Sequence, residues 1–246
     1  TAVQKHHPEF SIQKLDYDDP DTYRMLGQGD TEGVFQLESS GMKQVLVGLQ
    51  PQNLEDVIAL ISLYRPGPMD SIPTYLRNRH EPDKISYKTP QLAHILDVTN
   101  GCIVYQEQVM QIFRELAGFS FGQADNVRRA MSKKKHAVME AEREHFVHGC
   151  TEPGHECPGC VANGISEKVA NEIYDEMSSF ASYAFNKSHA ACYAYVAFQT
   201  AYLKCHYPSE FMAALLTSVL DNTDKVIEYS GECARLGIKV LPPDVN

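Results

Sequence analysis

A long apolar segment near the carboxyl end restricts the fold of this chain more than any other feature. Residues 189–207 are apolar on nearly every side of a helix, and Pro208 ends the segment because proline cannot continue a helix. A helix without a polar face has to be covered on most sides by other elements. The sequence therefore predicts a central helix within a larger helical domain.

Most other segments show the spacing of amphipathic helices. Residues 109–116 and 169–180 place apolar side chains three and four positions apart. Residues typical of helix N-caps precede several segments, among them Asp19, Asn53 and Ser120. Residues 238–241 predict a short strand, and residues 77–88 an exposed polar loop. The predicted fold class is mainly α: a multi-helix domain with a few short strands and a Cys-rich knuckle.

Composition limits the class of protein. With 43% hydrophobic and 22% charged residues, the 246-residue chain has the composition of a globular protein. It has no apolar run of membrane-spanning length and no signal-peptide pattern. The chain begins with Thr1 rather than Met, as expected for a piece of a longer protein. Four cysteines within apolar or helical patterns are predicted to be buried thiols of a reducing cytoplasm: Cys102, Cys192, Cys205 and Cys233.

Residues 128–135, here called the first basic segment, carry the densest positive charge. They hold five cations in eight residues, although the whole chain has a net charge of -10. Arginine can grip phosphate oxygens with two hydrogen bonds, and lysine can neutralise them. A solvated helix end would show the same pattern. The charges alone leave both interpretations open.

Residues 185–189, the second basic segment, read Phe-Asn-Lys-Ser-His and lead into the apolar helix. A helix N-terminus offers N–H groups and partial positive charge, which suit a triphosphate. Tyr193 follows His189 by one helical turn, so its ring could stack on a base. The alternative is that Ser188 caps the helix while His189 and Tyr193 pack in the core, which is the commoner arrangement for such residues.

The order of several longer motifs resembles the bacterial DNA polymerase III alpha subunits, the family C replicative polymerases. The match runs from about Asp30 to Asn246 and is far more specific than one short motif. The motifs are GVFQLES at 33–39, YRPGPM at 64–69, YQEQVM at 105–110, RRAM and KKK within 128–135, FNKSH at 185–189, LKCHYP at 203–208, EFMAA at 210–214, NTDK at 222–225 and LPPDVN at 241–246.

The resemblance implies a division of labour between polymerase regions. In this family, palm carboxylates hold two Mg²⁺ ions that activate the primer hydroxyl. The fingers follow the palm and bind the incoming dNTP and the template–primer DNA. Residues 1–29 would connect palm to fingers, and residues 30–246 would form the fingers domain. The chain would then be part of a nucleotidyltransferase, inactive by itself, because the palm carboxylates would precede it.

The resemblance also implies roles for individual residues. Lys187 and His189 would contact the triphosphate, and Tyr193 would pack near the base or sugar. Phosphates of nucleotide or template would be contacted by Arg128 and Arg129, and the DNA backbone by Lys133, Lys134 and Lys135. Arg65 would brace the fingers against the palm or bind phosphate. Further partners would be the palm and thumb of the parent chain and, through regions outside this sequence, the sliding clamp and other holoenzyme subunits.

Two other patterns suggest metal binding. Asp16-Tyr17-Asp18 has the form of a metal-binding pair, but its place before Asp19-Pro20 favours helix capping. Residues 148–163 form a Cys-rich segment with the spacing of a structural zinc knuckle. Its candidate zinc ligands are Cys150, Cys157, Cys160 and His155, with His148 as the other choice for the fourth position. Relatives often have a shorter segment without cysteine here, so a loop with free thiols is the alternative.

A second function class stays open. A helical module could use the same basic segments to hold nucleic acid or a protein partner without any role in nucleotide binding. Protection of Lys187 by triphosphate in the complete polymerase distinguishes the two classes.

Overall fold

The computed structural model of the chain describes residues 2–133, 136–181 and 183–241. Across these ranges it contains thirteen α-helices, which confirms the mainly α fold class. No helix among the described residues is long and apolar enough to cross a membrane. The helices are α1 (Pro20–Gly27), α2 (Ser40–Leu49), α3 (Leu54–Leu63), α4 (Ile72–His80), α5 (Ala93–Leu96), α6 (Gln106–Ala117), α7 (Phe121–Ser132), α8 (His136–His148), α9 (Gly159–Ala162), α10 (Glu167–Ala181), α11 (Lys187–His206), α12 (Pro208–Ser218) and α13 (Thr223–Arg235).

Extended structure is reduced to two isolated backbone bridges in the described part of the chain. One pairs Tyr105 with Phe185, and the other pairs Cys150 with Cys157. The predicted strand at 238–241 is wrong: the Ile238 N–H turns back to the Cys233 carbonyl at 2.8 Å and closes the end of α13.

Contacts divide the chain into two compact units. The middle unit comprises Ala59–Ala190, and the terminal unit comprises Thr1–Ile58 together with Ala191–Asn246. The expected border between a connecting segment and the fingers at residues 29 and 30 stays a prediction.

The middle unit is built around one face of α6. This helix buries Val109, Ile112, Phe113 and Leu116, as its apolar spacing predicts. The ring of Phe113 is the centre of an aromatic cluster whose other rings lie 5.0 to 5.9 Å away. Those rings belong to Phe119, Phe146 and Tyr174.

Local signals set the ends of α6 and α7. Gly118 ends α6 with a left-handed φ of 75°, and a Cβ there would lie 2.5 Å from the ring of Pro158. Ser120 then accepts from the Gln123 amide, while the Gln123 side chain accepts from the Ser120 amide at 2.7 Å. This reciprocal pair is the capping box expected from the sequence.

The terminal unit contains α1, α2, α12 and α13. Asp19 caps α1 by accepting from the Thr22 amide at 2.8 Å, with Pro20 in the first turn as predicted. The helices α12 and α13 pack through Met212, Tyr229 and Cys233.

The apolar helix α11 is less enclosed than the sequence predicts. It buries alanines along one stripe, but Tyr195 and Val196 are exposed by 45% and 43%. Its first residue is Lys187, two positions earlier than predicted. Cys192 on this helix is also exposed, so the prediction of burial is wrong for this thiol. Cys102 and Cys233 are buried as predicted, and Cys205 is half-buried.

Candidate functional site

Two segments far apart in the sequence meet at one parallel backbone bridge in the middle unit. The Gln106 N–H donates to the Phe185 carbonyl at 2.9 Å, and the Phe185 N–H donates to the Val104 carbonyl at 3.2 Å. The side-chain amide of Gln106 adds a hydrogen bond to the Ala184 carbonyl at 3.0 Å. The bridge holds the second basic segment against the start of α6.

Glu107 lies at the N-terminus of α11. Both of its carboxylate oxygens accept from the Lys187 N–H at 3.2 Å, and one accepts from the Asn186 side-chain amide at 2.9 Å. Asn186 in turn caps the helix by accepting from the His189 N–H at 2.9 Å. The backbone N–H groups of Lys187 and His189, which the sequence suggested for a triphosphate, therefore already have acceptors. The acceptor for the His189 N–H is Asn186, not Ser188.

The side chains of Lys187 and His189 pack beside aromatic rings. The Lys187 ammonium lies 5.3 Å from the ring centre of buried Tyr105, within the range of a cation–π contact. The His189 ring is 5.4 Å from the ring of Phe185, and His189 is exposed. The alternative that His189 packs in the core is therefore wrong, while its predicted contact with a triphosphate stays a prediction.

Arg65 also contacts the second basic segment, at Phe185. Its guanidinium donates to the Tyr183 carbonyl at 2.7 Å and to the Ser62 carbonyl at 3.3 Å, and lies 4.1 Å from the ring centre of Phe185. Burial lowers the pKa of Arg65 from its ordinary value, but the group remains a cation at neutral pH. Arg65 thus has a bracing role inside the middle unit.

The two arginines of the first basic segment differ in exposure. Arg128 has a 17% exposed side chain, donates to Asp125 at 2.7 Å and donates to the Gln106 side-chain oxygen at 3.2 Å. Arg129 is 64% exposed and lies 2.7 Å from the other Asp125 oxygen. The hydrogen bond from Arg128 is the largest cause that lowers the pKa of Asp125, so this carboxylate stays charged at neutral pH.

The three lysines of the first basic segment follow α7. Lys133 is exposed and its N–H closes the helix on the Arg129 carbonyl at 3.1 Å. Lys134 and Lys135 lie outside the described residues. Their predicted contact with the DNA backbone stays a prediction.

A cleft of about 470 Å³ opens beside Glu107, Arg128 and Asn186. Arg114 and Phe121 also line it, and Phe121 is 66% exposed. The cleft therefore places an exposed aromatic ring and two arginines near the carboxylate that holds α11.

Tyr193 belongs to the terminal unit. Its ring lies 5.5 Å from the ring of Phe35, which is 38% exposed. The structure thus gives Tyr193 an aromatic neighbour, while its predicted place near a base or sugar stays a prediction.

The acidic pair Asp16 and Asp18 forms a local turn. Asp16 accepts from the Asp18 amide at 3.0 Å, and Asp19 caps α1. The cap itself is Asp19, not Asp16 or Asp18, and the preference for a capping role over a catalytic one stays a prediction.

In the described part of the chain, one cluster brings three potential metal ligands within 4.8 Å of one another. Its members are the carboxylates of Asp30, Glu32 and Glu232. The buried Lys204 ammonium lies 2.9 Å from Asp30 and 2.7 Å from Glu232, and Arg235 bonds the same two carboxylates. Burial raises the pKa of Asp30 and Glu232, but hydrogen bonds from Arg235 and Lys204 outweigh it and hold both below their usual values. An ammonium occupies the place of a metal, so the cluster does not fit a Mg²⁺ site.

The Cys-rich segment brings two of its three cysteines opposite each other. The N–H groups of Cys150 and Cys157 donate to each other's carbonyls at 2.9 Å, and burial raises the pKa of the Cys160 thiol to about 12. Among the described residues, no three cysteine and histidine ligand atoms lie within 4.8 Å of one another. Zinc binding by Cys150, Cys157, Cys160 and His155 is not confirmed and stays a prediction. Elemental analysis with a thiol count checks it.

Sequence reasoning missed the roles of Gln106 and Glu107. Both lie within the motif YQEQVM, which in the sequence indicates only the family resemblance. The one local signal for a binding role is that two polar residues stand in the first turn of an amphipathic helix. Their partners could not be foreseen, because Glu107 and Lys187 are 80 positions apart.

Comparison with known proteins identifies the family. The family model described as the bacterial DNA polymerase III alpha subunit finger domain matches residues 1–154. DNA polymerase III subunit alpha of Thermus aquaticus is 50% identical over 243 residues, covering 97% of this chain and 19% of that protein. The proteins of the same name from Bacillus subtilis and Staphylococcus aureus (strain Mu50) are 46% and 45% identical, covering 97% and 96% of this chain and 20% and 21% of theirs. The chain spans about a fifth of the length of these relatives.

The family model matches well over half of the residues of this chain. The chain therefore belongs to the bacterial DNA polymerase III alpha subunit finger domain family.

Proposed function

We propose that the chain acts as the fingers region of a DNA-directed DNA polymerase and binds the incoming dNTP and the template–primer DNA. The observation that carries this proposal is that residues 105–107 contact both basic segments. Gln106 bonds Arg128, while Tyr105 and Glu107 contact Lys187. Two cationic segments held on one support can act on one polyanionic ligand.

The triphosphate is assigned to Lys187 and His189, with Arg128 and Arg129 beside it. Lys187 supplies a compact positive charge, and the exposed His189 supplies a ring N–H donor. Tyr193 is assigned to the base or sugar. Because the N–H groups of Lys187 and His189 already have acceptors, we assign the phosphate contacts to the side chains of these two residues.

The DNA backbone is assigned to Lys133, Lys134, Lys135 and Arg65. Backbone contacts by such cations release counterions, so they make binding dependent on salt concentration. The net charge of -10 disfavours DNA contact over most of the surface, which favours an interface at the basic segments and Arg65.

The chemical step is assigned to the palm of the parent polymerase. Mg²⁺ held by palm carboxylates would activate the primer hydroxyl and stabilise the leaving pyrophosphate. This chain would supply binding and orientation in replication in the cytoplasm. The thumb, the sliding clamp and other holoenzyme subunits are its proposed partners.

Substitution of Lys187 in the complete polymerase tests the nucleotide role. Lys187→Ala should raise the KM for dNTP about tenfold or more through loss of a charge-assisted contact, and should leave the Kd for primed DNA unchanged. Lys168→Ala is the matched control, because Lys168 is 86% exposed on α10. Its kinetics should equal those of the parent.

Lys133→Ala tests the DNA role in the same enzyme. It should weaken DNA binding and reduce the slope of log Kd against log salt by about one. If Lys187→Ala changes only DNA affinity and its salt slope, the chain is instead a binding module without a nucleotide role.

A further inference from the structure

We propose that Glu107 is a positioning residue for nucleotide binding, acting through Lys187 without touching the nucleotide. The inference rests on the proposed function of Lys187. It assigns a role to a carboxylate that the resemblance to polymerases left without one. Its neighbour Gln106 accepts from the Arg128 guanidinium at 3.2 Å through its side-chain oxygen.

The geometry around Glu107 is that of a clamp on the start of α11. Its two oxygens share the Lys187 N–H at 3.2 Å each, and one also takes the Asn186 side-chain N–H at 2.9 Å. A carboxylate at a helix N-terminus is favoured by both the N–H groups and the helix dipole. Asn186 caps the same helix by accepting from the His189 N–H, so Glu107 bonds the Lys187 backbone directly and the His189 backbone through the Asn186 side chain.

The turn next to Glu107 is buried and hydrogen-bonded. Buried Gln108 accepts from the N–H groups of Val104 and Tyr105 at 2.9 Å and donates to the Thr99 hydroxyl at 2.7 Å. Tyr105 is 1% exposed and carries the ring beside the Lys187 ammonium. This turn can therefore position Lys187 at two points: Glu107 binds its backbone N–H, and the Tyr105 ring contacts its ammonium group.

A carboxylate beside a proposed triphosphate site also repels phosphate, and the two effects have opposite signs. Loss of positioning raises the KM for dNTP, whereas loss of repulsion lowers it. Glu107→Gln separates them, because it removes the charge and keeps an oxygen that can accept from the Lys187 N–H. Misplacement of a binding group by about 1 Å can cost up to about a hundredfold, so the positioning effect should dominate.

The test is a double-mutant cycle in the complete polymerase with steady-state kinetics. Glu107→Ala should raise the KM for dNTP about tenfold and leave the Kd for primed DNA unchanged. Because it removes an acceptor at a helix N-terminus, it should lower the thermal midpoint by a few degrees at most. Glu107→Gln should restore the KM to within about threefold of the parent. In a Lys187→Ala background, Glu107→Ala should have less than about a third of its effect, because contacting residues are not additive. Glu172→Ala, on the exposed face of α10, should change nothing.

Two results would overturn the inference. If Glu107→Ala and Glu107→Gln both lower the KM for dNTP, Glu107 is a competitor of the nucleotide. If the Glu107→Ala and Lys187→Ala effects multiply, Glu107 acts independently of the lysine. Either result leaves the proposed function intact provided that Lys187→Ala alone raises the KM. If Lys187→Ala leaves it unchanged, the proposed function itself fails.

Discussion

At the scale of single residues, Lys204 is a buried cation whose removal should be costly. Its side chain is 1% exposed and lies between Asp30 and Glu232. Lys204→Met would leave carboxylates buried without this partner, which should lower the free energy of unfolding by about 3–5 kcal/mol at pH 7. Urea unfolding monitored by circular dichroism measures the change. Lys168→Met, on an exposed side chain, should cost about 0.5 kcal/mol or less.

The effect of Lys204→Met on stability should also depend on pH. In the parent, the pKa values of Asp30 and Glu232 lie below their usual 3.8 and 4.5, so their stabilisation is present above those values and is lost as pH falls through the lower folded values. Without Lys204, Arg235 is the remaining cation that lowers these pKa values, so both should rise from those of the parent, and protonation of the carboxylates should destabilise the variant less. The difference in stability should shrink as pH falls from 7 to about 4. A constant difference would contradict the account.

Residue chemistry could be predicted at the second basic segment, whereas its partners could not. The sequence correctly places Lys187 and His189 at the beginning of α11. It does not reveal that the N-terminus receives a carboxylate from α6, because such pairing depends on tertiary structure. The core alternative for His189 failed for the same reason: helical spacing does not tell which face is covered.

At the scale of elements, the caps and stops of helices can be predicted from the sequence more reliably than the existence and length of each helix. The caps at Asp19 and Ser120 and the stop at Gly118 are local chemistry, and all three are confirmed. Helix α2 was missed, although Ser39 caps it by accepting from the Met42 amide at 3.3 Å. The loop expected at residues 77–88 is wrong in its first part, because α4 continues through His80. Its polar composition reflects exposure, not absence of a helix.

The stop of α6 at Gly118 can be tested directly. Gly118→Ala places a Cβ at a left-handed φ of 75° and 2.5 Å from the Pro158 ring. The backbone conformation alone should cost about 1–2 kcal/mol, and the contact adds to it. Gly122→Ala, within α7 and with nothing near its added Cβ, should instead stabilise by up to about 1 kcal/mol. Urea midpoints measure both, and equal signs would contradict this account of the helix end.

At the scale of the whole molecule, the chain should bind without catalysing. No described carboxylate group fits a two-metal site, since the group around Lys204 already holds a cation. We expect the 246-residue chain to give no extension of a primed template with Mg²⁺ and all four dNTPs. Gel-based primer extension measures this, with the complete polymerase as the positive control. Extension by the chain alone would contradict the assignment of catalysis to the palm.

The bridge between Tyr105 and Phe185 has a consequence for the order in which the chain acquires its structure. Glu107 and Lys187 are 80 positions apart, so their contact closes a long loop whose entropy must be offset by the packing between them. During synthesis, the support at residues 105–108 emerges well before its partner. The two basic segments can therefore come together only after the chain has been synthesised as far as Lys187, so we expect the proposed phosphate site to form late in folding.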